Sequence, residues 1–280
     1  MSDSSSTLPE GFLFSQHSLT TYQRCKRRFW YRYVQHQPWP TAEDNEPLLY
    51  QQQLARGVVF HRWLERAHLG LLVTEQVAAS NDPELQAWWR AWLTFDESTL
   101  PQDVRQAELP LVVPLGRHRL YARYDLLTLD RSGRAVIIDW KTLRTVPPLA
   151  VLRNRLQTRI YCYILASAGT LFTEVSQLKP EQISMCYWFA NDPQATVYLP
   201  YSRTLFDADQ QLLNSLVAEI DSLPEQGFTL TEQRAQCARC NYRTLCERAT
   251  DYTSLAQGID WLDEDVDFNL ELDKAPIIDW

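Results

Sequence analysis

The chain has 280 residues, of which 45% are hydrophobic and 22% charged, a composition that predicts a globular protein with one large or two small domains. No apolar run approaches the ~20 residues that a membrane-spanning helix needs, and the first residues lack the apolar core of a signal peptide. The sequence therefore predicts a cytoplasmic protein without a membrane partner.

The formal net charge of −8 is unevenly distributed. Eight acidic residues and one lysine between positions 260 and 279 account for seven of these charges. Residues 257–280 are therefore predicted to form an acidic tail, and residues 1–14 a flexible leader. A basic cluster near the N-terminus is typical of a local phosphate-binding surface, whatever the total charge. Its members are Arg24, Lys26, Arg27, Arg28 and Arg32.

Hydrophobic periodicity predicts three helices in the first third of the chain. The first begins after Ser18 as N-cap and ends at about residue 36; the others cover residues 48–77 and 83–95. Gly57 and His61 lie one turn apart on the second helix, and a carboxylate follows one turn later. A lone helical histidine is usually structural, but these neighbours make His61 a candidate site residue.

The period then changes to that of β-strands. Residues 108–114, 119–130 and 135–142 predict a three-strand meander. The later elements are a helix at 149–168, strands at 182–190 and 195–201, and a helix at 205–222. Helices followed by this alternation predict an α/β core with a helical N-terminal lobe.

The third predicted strand ends with two opposite charges. Asp139 and Lys141 share one face of that strand, while Trp140 points away, because side chains alternate along a strand. A carboxylate beside an ammonium can bind a divalent cation and a charged phosphate. An isolated Asp-x-Lys is more often a surface salt bridge, so the pattern depends on the residues that accompany it. These are His61, Asp125, Gln157 and Tyr161.

Four of the six cysteines form a second pattern. Cys237, Cys240 and Cys246 have the spacing C-x2-C-x5-C, and Cys25 lies near the N-terminus. In a chain without secretion signals this pattern favours metal binding over disulfides. Four thiolates can hold zinc or an iron–sulfur cluster, and spacing alone does not distinguish them. The other two cysteines fall in helix and strand patterns and are predicted to be core residues.

The ordered set of His61, Asp125, Asp139-x-Lys141 and Gln157-x3-Tyr161 resembles the PD-(D/E)XK nuclease superfamily. The four cysteines narrow the resemblance to its RecB-like branch, which includes the CRISPR-associated RecB-like exonucleases and the AddB nuclease domain. The resemblance implies a restriction-endonuclease-like core, with a mixed central sheet flanked by helices, a helical N-terminal lobe and a cysteine-bound metal-cluster staple. It spans about residues 15–250, and we expect the domain to cover 15–256.

The resemblance also implies roles for individual residues. Asp125, Asp139, Lys141, Gln157 and Tyr161 would form the catalytic set. The ligands of Mg2+ or Mn2+ would be His61, Asp125, Asp139 and the carbonyl of Trp140. Lys141 would orient the attacking water and offset charge on the phosphate, while Gln157 and Tyr161 would hold Lys141 and the DNA backbone. Glu108 matches a frequent acidic position of the branch.

The same resemblance implies a 4Fe-4S cluster on Cys25, Cys237, Cys240 and Cys246, with structural Zn2+ as the alternative. The DNA contacts would be Arg24, Lys26, Arg27 and Arg28. Two positions depart from the usual pattern: Ala122 stands where the family often has glycine, and Lys26 where proline often follows the first cysteine. Neither departure removes a catalytic group.

The implied function is that of a Mg2+/Mn2+-dependent deoxyribonuclease, an exonuclease on single-stranded or end-containing DNA in recombination, repair or CRISPR adaptation. Helicases or CRISPR adaptation proteins are the candidate partners, because the chain has no G-x4-G-K-[ST] motif of its own for unwinding. One alternative is a non-catalytic nuclease-fold module that grips DNA or a partner within a larger complex. Another is a zinc-stapled regulator of different ancestry.

Overall fold

The computed structural model describes residues 7–38, 48–168, 178–237 and 240–248, without the side chains of residues 48–51. The described residues divide into two compact units. The first unit holds the described residues up to 51, Pro114–Arg119 and those from 212 onward. The second unit holds Gln52–Val113 and the described part of 120–211. The predicted acidic tail and residues 1–6 of the predicted leader lie outside the described residues.

The first unit begins with a short strand, β1 (Leu13–Ser15), and helix α1 (Gln16–Arg24). The N-cap of α1 is Ser15, which forms a reciprocal capping box with Ser18, so the prediction of Ser18 as N-cap is wrong by three residues. Residues 7–14 do not behave as the predicted loose leader, because Leu8 and Phe14 are buried.

The predicted helix 18–36 is interrupted at Cys25. The backbone of Cys25 is extended, and its Sγ accepts a hydrogen bond from the backbone N of Arg28 at 3.4 Å. Cys25 therefore caps a second, short helix, α2 (Lys26–Phe29), which continues into a π-helical turn at Trp30–Val34. The Cys25 thiol therefore lies at the junction between two helices and not on the side of one continuous helix.

The second unit is built on a mixed sheet. The strands are β2 (Val104–Leu115), β3 (His118–Leu129), β4 (Ala135–Lys141), β5 (Ile183–Phe189) and β6 (Val197–Pro200). With β1 they form a six-stranded sheet in the order β1-β3-β4-β5-β6, and β2 also pairs with β3. The β3–β4 and β5–β6 pairs are antiparallel, whereas β4 and β5 are parallel. The predicted meander is confirmed, and every residue of β4 is buried, as expected for a central strand covered on both faces.

The helices outside the first unit's N-terminal segment are α3 (Leu48–His68), α4 (Thr74–Ala79), α5 (Pro83–Trp92), α6 (Leu149–Asn154), α7 (Leu156–Ala168) and α8 (Arg203–Ser222). Two predicted helices are each divided in two. The predicted helix 48–77 breaks at Gly70, whose φ of +74° ends α3 in the left-handed conformation that glycine allows. The predicted helix 149–168 breaks where Arg155 becomes extended.

An aromatic cluster on one side of the sheet joins α3 and α5 to β4 and β5. Its largest members are Phe60, Trp63, Trp88, Trp140 and Trp188. The tryptophans predicted as core on the third helix pack here, with Trp88 buried and Trp89 and Trp92 partly buried. The architecture is the mixed sheet flanked by helices that the sequence predicted. Within the described residues, no helix is both long and apolar enough to cross a membrane.

Candidate active site

Two aspartates lie where the pairing of β3 with β4 ends. The last paired residues are Leu126 and Ile138, and Asp125 and Asp139 are next to them on their strands. Asp125 Oδ2 accepts a hydrogen bond from the backbone N of Trp140 at 2.8 Å. The carboxylate thus serves as the acceptor that a neighbouring strand would otherwise supply, and it is fixed against the end of β4.

His61, Glu108 and Asp125 converge from three elements, α3, β2 and β3. Each offers one ligand atom, and these three atoms lie within 4.8 Å of one another. His61 Nδ1 is 3.4 Å from Asp125 Oδ1. An octahedral divalent cation with ligands at about 2.1 Å separates neighbouring ligand atoms by roughly 3 Å and opposite ones by roughly 4.2 Å. The 3.4 Å between His61 and Asp125 is close to the spacing of neighbouring ligands of such a cation, and we call His61, Glu108 and Asp125 the acidic trio.

Glu108 occupies an unusual backbone conformation for a strand residue. Its φ is +50°, in the left-handed region that residues other than glycine rarely adopt. Its Oε2 pairs with Arg123 Nε at 3.0 Å. Burial and the neighbouring charge of Asp125 raise the pKa of Glu108 to about 7, although Arg123 and His61 act in the opposite direction. The carboxylate is thus held in a place where its negative charge is costly without a cation.

Asp139 and Lys141 form a buried ion pair beside the acidic trio. The shared face predicted for them is confirmed, because Lys141 Nζ is 2.9 Å from Asp139 Oδ2. Asp139 and Lys141 are only 3% and 6% exposed. Their mutual attraction and hydrogen bonds must therefore offset a large desolvation cost. A buried charged pair at a strand end is weak evidence for stability and better evidence for a site.

Gln157 on α7 completes the support of Asp139. Its Nε2 donates to Asp139 Oδ1 at 2.7 Å. Its Oε1 accepts from the hydroxyl of Tyr187 at 3.3 Å, and that hydroxyl also contacts Thr158 Oγ1 at 2.8 Å. Because the carboxylate can only accept, the amide nitrogen must face Asp139, and the Tyr187 contact agrees with that orientation. Both Asp139 oxygens are thus engaged.

The structure brings together most of the predicted site residues, with differences in detail. His61 and Asp125 meet Glu108, whereas Asp139 is engaged by Lys141 and Gln157 and is not a member of the acidic trio. The ring of Tyr161 packs against Tyr124 at 5.2 Å, and the backbone carbonyl of Tyr161 accepts from the Tyr124 hydroxyl. The indole of Trp140 lies in the aromatic cluster.

The family profile of the PD-(D/E)XK nuclease superfamily matches residues 13–247. The chain belongs to this superfamily. The restriction-endonuclease-like fold predicted from the sequence is consistent with that membership and with the observed sheet. No protein with a curated description matches the sequence.

Two solved structures illustrate how this superfamily member compares in shape. A protein from Eubacterium rectale, named as a candidate exonuclease, is 8% identical, with a TM-score of 0.51 over 89% of this chain and 94% of that one. A protein designated SSO0001 is 16% identical, with a TM-score of 0.41 over 87% of this chain and 90% of that one. At such identities the first likeness concerns the fold alone.

The pKa of His61 in this PD-(D/E)XK protein predicts a specific pH dependence. Burial lowers that pKa, but the charge and hydrogen bond of Asp125, together with Asp139 and Glu108, outweigh burial and raise it from 6.5 to about 9. The stability that the protonated ring contributes is complete below pH 6.5 and is lost as the pH rises through about 9.

We expect the free energy of unfolding of the metal-free protein to fall by about 2 to 3 kcal/mol between pH 7 and 10 through this group. The variant His61→Gln should lack that component. The comparison is made by denaturant titration of both proteins in EDTA at each pH. If the free energy of unfolding changed with pH equally in both proteins, His61 would not be the group responsible. A cation held by His61 would have to displace this proton, so any metal affinity of the acidic trio should rise over the same pH range.

The four cysteines predicted as cluster ligands belong to the first unit. All six cysteines are free thiols, and the two predicted as core residues, Cys162 and Cys186, are fully buried. Burial raises the pKa of Cys246 to about 11, and the nearby thiols of Cys240, Cys25 and Cys237 add to the effect. The four thiols are therefore close enough to influence one another.

The basic cluster predicted to contact DNA lies in the first unit and is partly engaged. Lys26 Nζ pairs with Glu219 at 2.6 Å, and the Arg27 guanidinium lies 5.9 Å from the centre of the Tyr31 ring. Arg24 and Arg28 are half-buried. Glu219 therefore neutralises Lys26, one of the four predicted DNA contacts. The sequence spacing does not indicate this pairing.

Proposed function

We propose that the protein is a Mg2+- or Mn2+-dependent deoxyribonuclease that hydrolyses phosphodiester bonds at the end of β4. The observation that carries the proposal is the position of the acidic trio directly beside the Asp139–Lys141–Gln157 group. Phosphodiester hydrolysis requires a cation to activate water and a positive charge to offset the charge that develops on the phosphate. The acidic trio offers a place for the cation, and Lys141 supplies the positive charge.

The residues divide the work as follows. His61, Glu108 and Asp125 would hold the cation, which supplies Lewis acidity and lowers the pKa of bound water. Lys141 offers a compact positive charge to the phosphate. Asp139 holds the Lys141 ammonium in place through the 2.9 Å ion pair. Gln157 fixes Asp139 in turn.

The inclusion of Glu108 among the metal ligands makes a separate prediction. The variant Glu108→Gln should weaken Mn2+ binding by about ten- to a hundredfold, because it removes a negative ligand from the trio. Isothermal titration of metal into the DNA-free protein measures this directly. The matched control is Glu84→Gln, since Glu84 also pairs with an arginine, Arg56, at 2.7 Å but lies outside the trio. Equal metal affinity in both variants would remove Glu108 from the site.

We further propose that the enzyme is an exonuclease acting on single-stranded or end-containing DNA. The support is the fold likeness to the Eubacterium rectale protein, whose name makes it a candidate exonuclease. The test compares linear with circular single-stranded DNA of the same sequence. An exonuclease degrades only the linear form. Equal degradation of the circle would make the enzyme an endonuclease and leave the metal site unaffected.

An iron–sulfur cluster of the RecB-like type is proposed for the four cysteines of the first unit. A tetrahedral zinc site with bonds of about 2.3 Å would place all four sulfurs about 3.8 Å apart. A cubane cluster separates its ligands further. Besides burial, the thiols of Cys240, Cys25 and Cys237 raise the pKa of Cys246, which supports a common metal centre for the four cysteines. The resemblance to the RecB-like branch favours a 4Fe-4S cluster there, with structural zinc as the alternative.

The biological setting proposed from the resemblance is recombination, repair or CRISPR adaptation in the cytoplasm, with helicases or CRISPR adaptation proteins as partners. DNA is the proposed substrate, and the half-buried Arg24 and Arg28, with Arg27, are the proposed contacts in the first unit. The domain boundaries 15 and 256 stay predictions, and the tail 257–280 lies outside the described residues.

A further inference from the structure

The backbone directly after Lys141 is held by two side-chain amides. The carbonyl of Lys141 accepts a hydrogen bond from the backbone N of Ala190 at 2.8 Å, next to the β4–β5 ladder. Beyond it, the carbonyl of Thr142 accepts from Gln53 Nε2 at 3.0 Å and from Asn191 Nδ2 at 3.2 Å. The same Asn191 nitrogen donates to the carbonyl of the next residue at 3.0 Å. Helix α3 and the end of β5 thus converge on one carbonyl.

The orientation of each amide is determined by its surroundings. The buried indole of Trp88 can only donate, and its Nε1 lies 2.9 Å from Asn191 Oδ1, so Asn191 Nδ2 must face the carbonyls. Gln53 is 5% exposed, and its Oε1 has no hydrogen-bond partner within the described residues. A buried amide oxygen without a donor is unfavourable. The bond that Gln53 Nε2 makes to Thr142 is therefore its one polar contact among the described residues.

Gly57 brings the backbone of α3 close to the same point. It lies one turn after Gln53 and one turn before His61. A Cβ at this position would stand 3.3 Å from Thr142 Oγ1, a tight contact. The absence of that side chain allows the helix that carries His61 to approach the segment that follows Lys141. One contact region thus connects a proposed metal ligand with the proposed catalytic lysine.

We propose that Gln53 and Asn191 are positioning residues that place Lys141 for catalysis. The inference rests on the proposed nuclease function and adds a determinant to it. The ammonium of lysine ends a flexible four-carbon chain, so its location depends on where the backbone at its root is fixed. The backbone hydrogen bonds of the strand end at Lys141. For the next residue, Thr142, the side-chain amides of Gln53 and Asn191 supply the hydrogen bonds instead. A displacement of 1 Å in a catalytic group can cost about a hundredfold in rate.

The first test separates catalysis from stability and from substrate binding. Gln53→Leu keeps the side-chain volume and removes the unpaired oxygen, so the melting temperature should not fall. We expect kcat for DNA cleavage to fall by about ten- to a hundredfold while KM changes less than twofold. Asn191→Asp, which retains the acceptor for Trp88, should act in the same direction. The matched control is Gln102→Leu. Gln102 Nε2 also donates to two backbone carbonyls, but those belong to Glu97 and Leu100 and not to the segment that follows Lys141.

The second test needs no enzymatic activity. The chain has four lysines, and the exposed Lys179 serves as an internal reference for the buried Lys141. Competitive acylation followed by mass spectrometry gives the labelling rate of each amine. We expect Lys141 to be labelled several-fold faster relative to Lys179 in Gln53→Leu than in the wild type, and unchanged in Gln102→Leu.

These readouts distinguish failure of this proposal from failure of the nuclease assignment. If the wild type cleaves no DNA, the nuclease assignment fails, and the labelling ratio still decides whether Gln53 positions Lys141. An unchanged labelling ratio in Gln53→Leu overturns the proposal. So does a kcat loss that the Gln102→Leu control shares or that is matched by a lower melting temperature, because the amide would then be only structural.

Discussion

Asp139→Asn is expected to lower DNA cleavage by about a thousandfold while the protein stays folded and still binds DNA. Asp139 accepts from Gln157 at 2.7 Å and pairs with Lys141 at 2.9 Å, so its negative charge holds the lysine ammonium in place. Asparagine has the same shape and can retain one of these hydrogen bonds. The loss is therefore one of charge. Single-turnover cleavage with Mn2+ measures the rate, and filter binding without metal measures DNA affinity.

The control for this variant is Asp207→Asn. Asp207 also pairs with a cation, Arg203, at 3.0 Å, but it is exposed on α8. An exposed pair of this kind contributes little, so the control should cleave DNA at the wild-type rate. If Asp139→Asn cleaved as fast as Asp207→Asn, the Asp139–Lys141 pair would have no part in the chemistry.

Cys240→Ala is expected to have the largest effect on stability. Structural metal sites in small domains contribute roughly 10 kcal/mol or more to folding, and the four proposed cysteine ligands would join the two ends of the first unit's sequence through one cluster. We expect the variant to lose its iron and the visible absorption of the cluster, and to unfold at a much lower temperature. Iron analysis and circular dichroism on anaerobically purified protein provide the measurements.

Cys162→Ala is the matched control for the cluster variant. Cys162 is as buried as a thiol can be and belongs to the second unit, so its loss should cost only a small cavity and leave the iron content unchanged. A wild-type protein that is colourless and contains one zinc ion would instead support the structural zinc alternative. Wild-type iron content in Cys240→Ala would remove that thiol from the ligand set.

The central strand shows what the sequence could predict. Residues 135–142 were expected as a buried strand, and β4 covers Ala135–Lys141. A continuous β-branched run followed by two charges leaves few alternatives for the local structure. The shared face of Asp139 and Lys141 follows from the alternation of side chains alone, so it too was predictable.

Other features depend on tertiary contacts that periodicity does not encode. Residues on both sides of Cys25 suit a helix, so the sequence predicted one continuous helix where the structure has an extended break. The positive φ of Glu108 is equally invisible in a pattern of alternating side chains. The sequence indicates Glu108 as an acidic residue at the start of a predicted strand, and the resemblance as a frequent acidic position of the RecB-like branch. Its meeting with His61 and Asp125 required the folded sheet.

The acidic trio and the Asp139–Lys141 pair are proposed to form one metal-dependent DNA-cleaving site. The most direct measurement is degradation of end-labelled linear DNA by the anaerobically purified full chain, with Mg2+, Mn2+ or EDTA, alongside Asp125→Asn. We predict degradation with either metal by the wild type, and none with EDTA or by the variant. A wild-type protein that binds the DNA without cutting it in either metal, or a variant that cuts equally well, would contradict the claim.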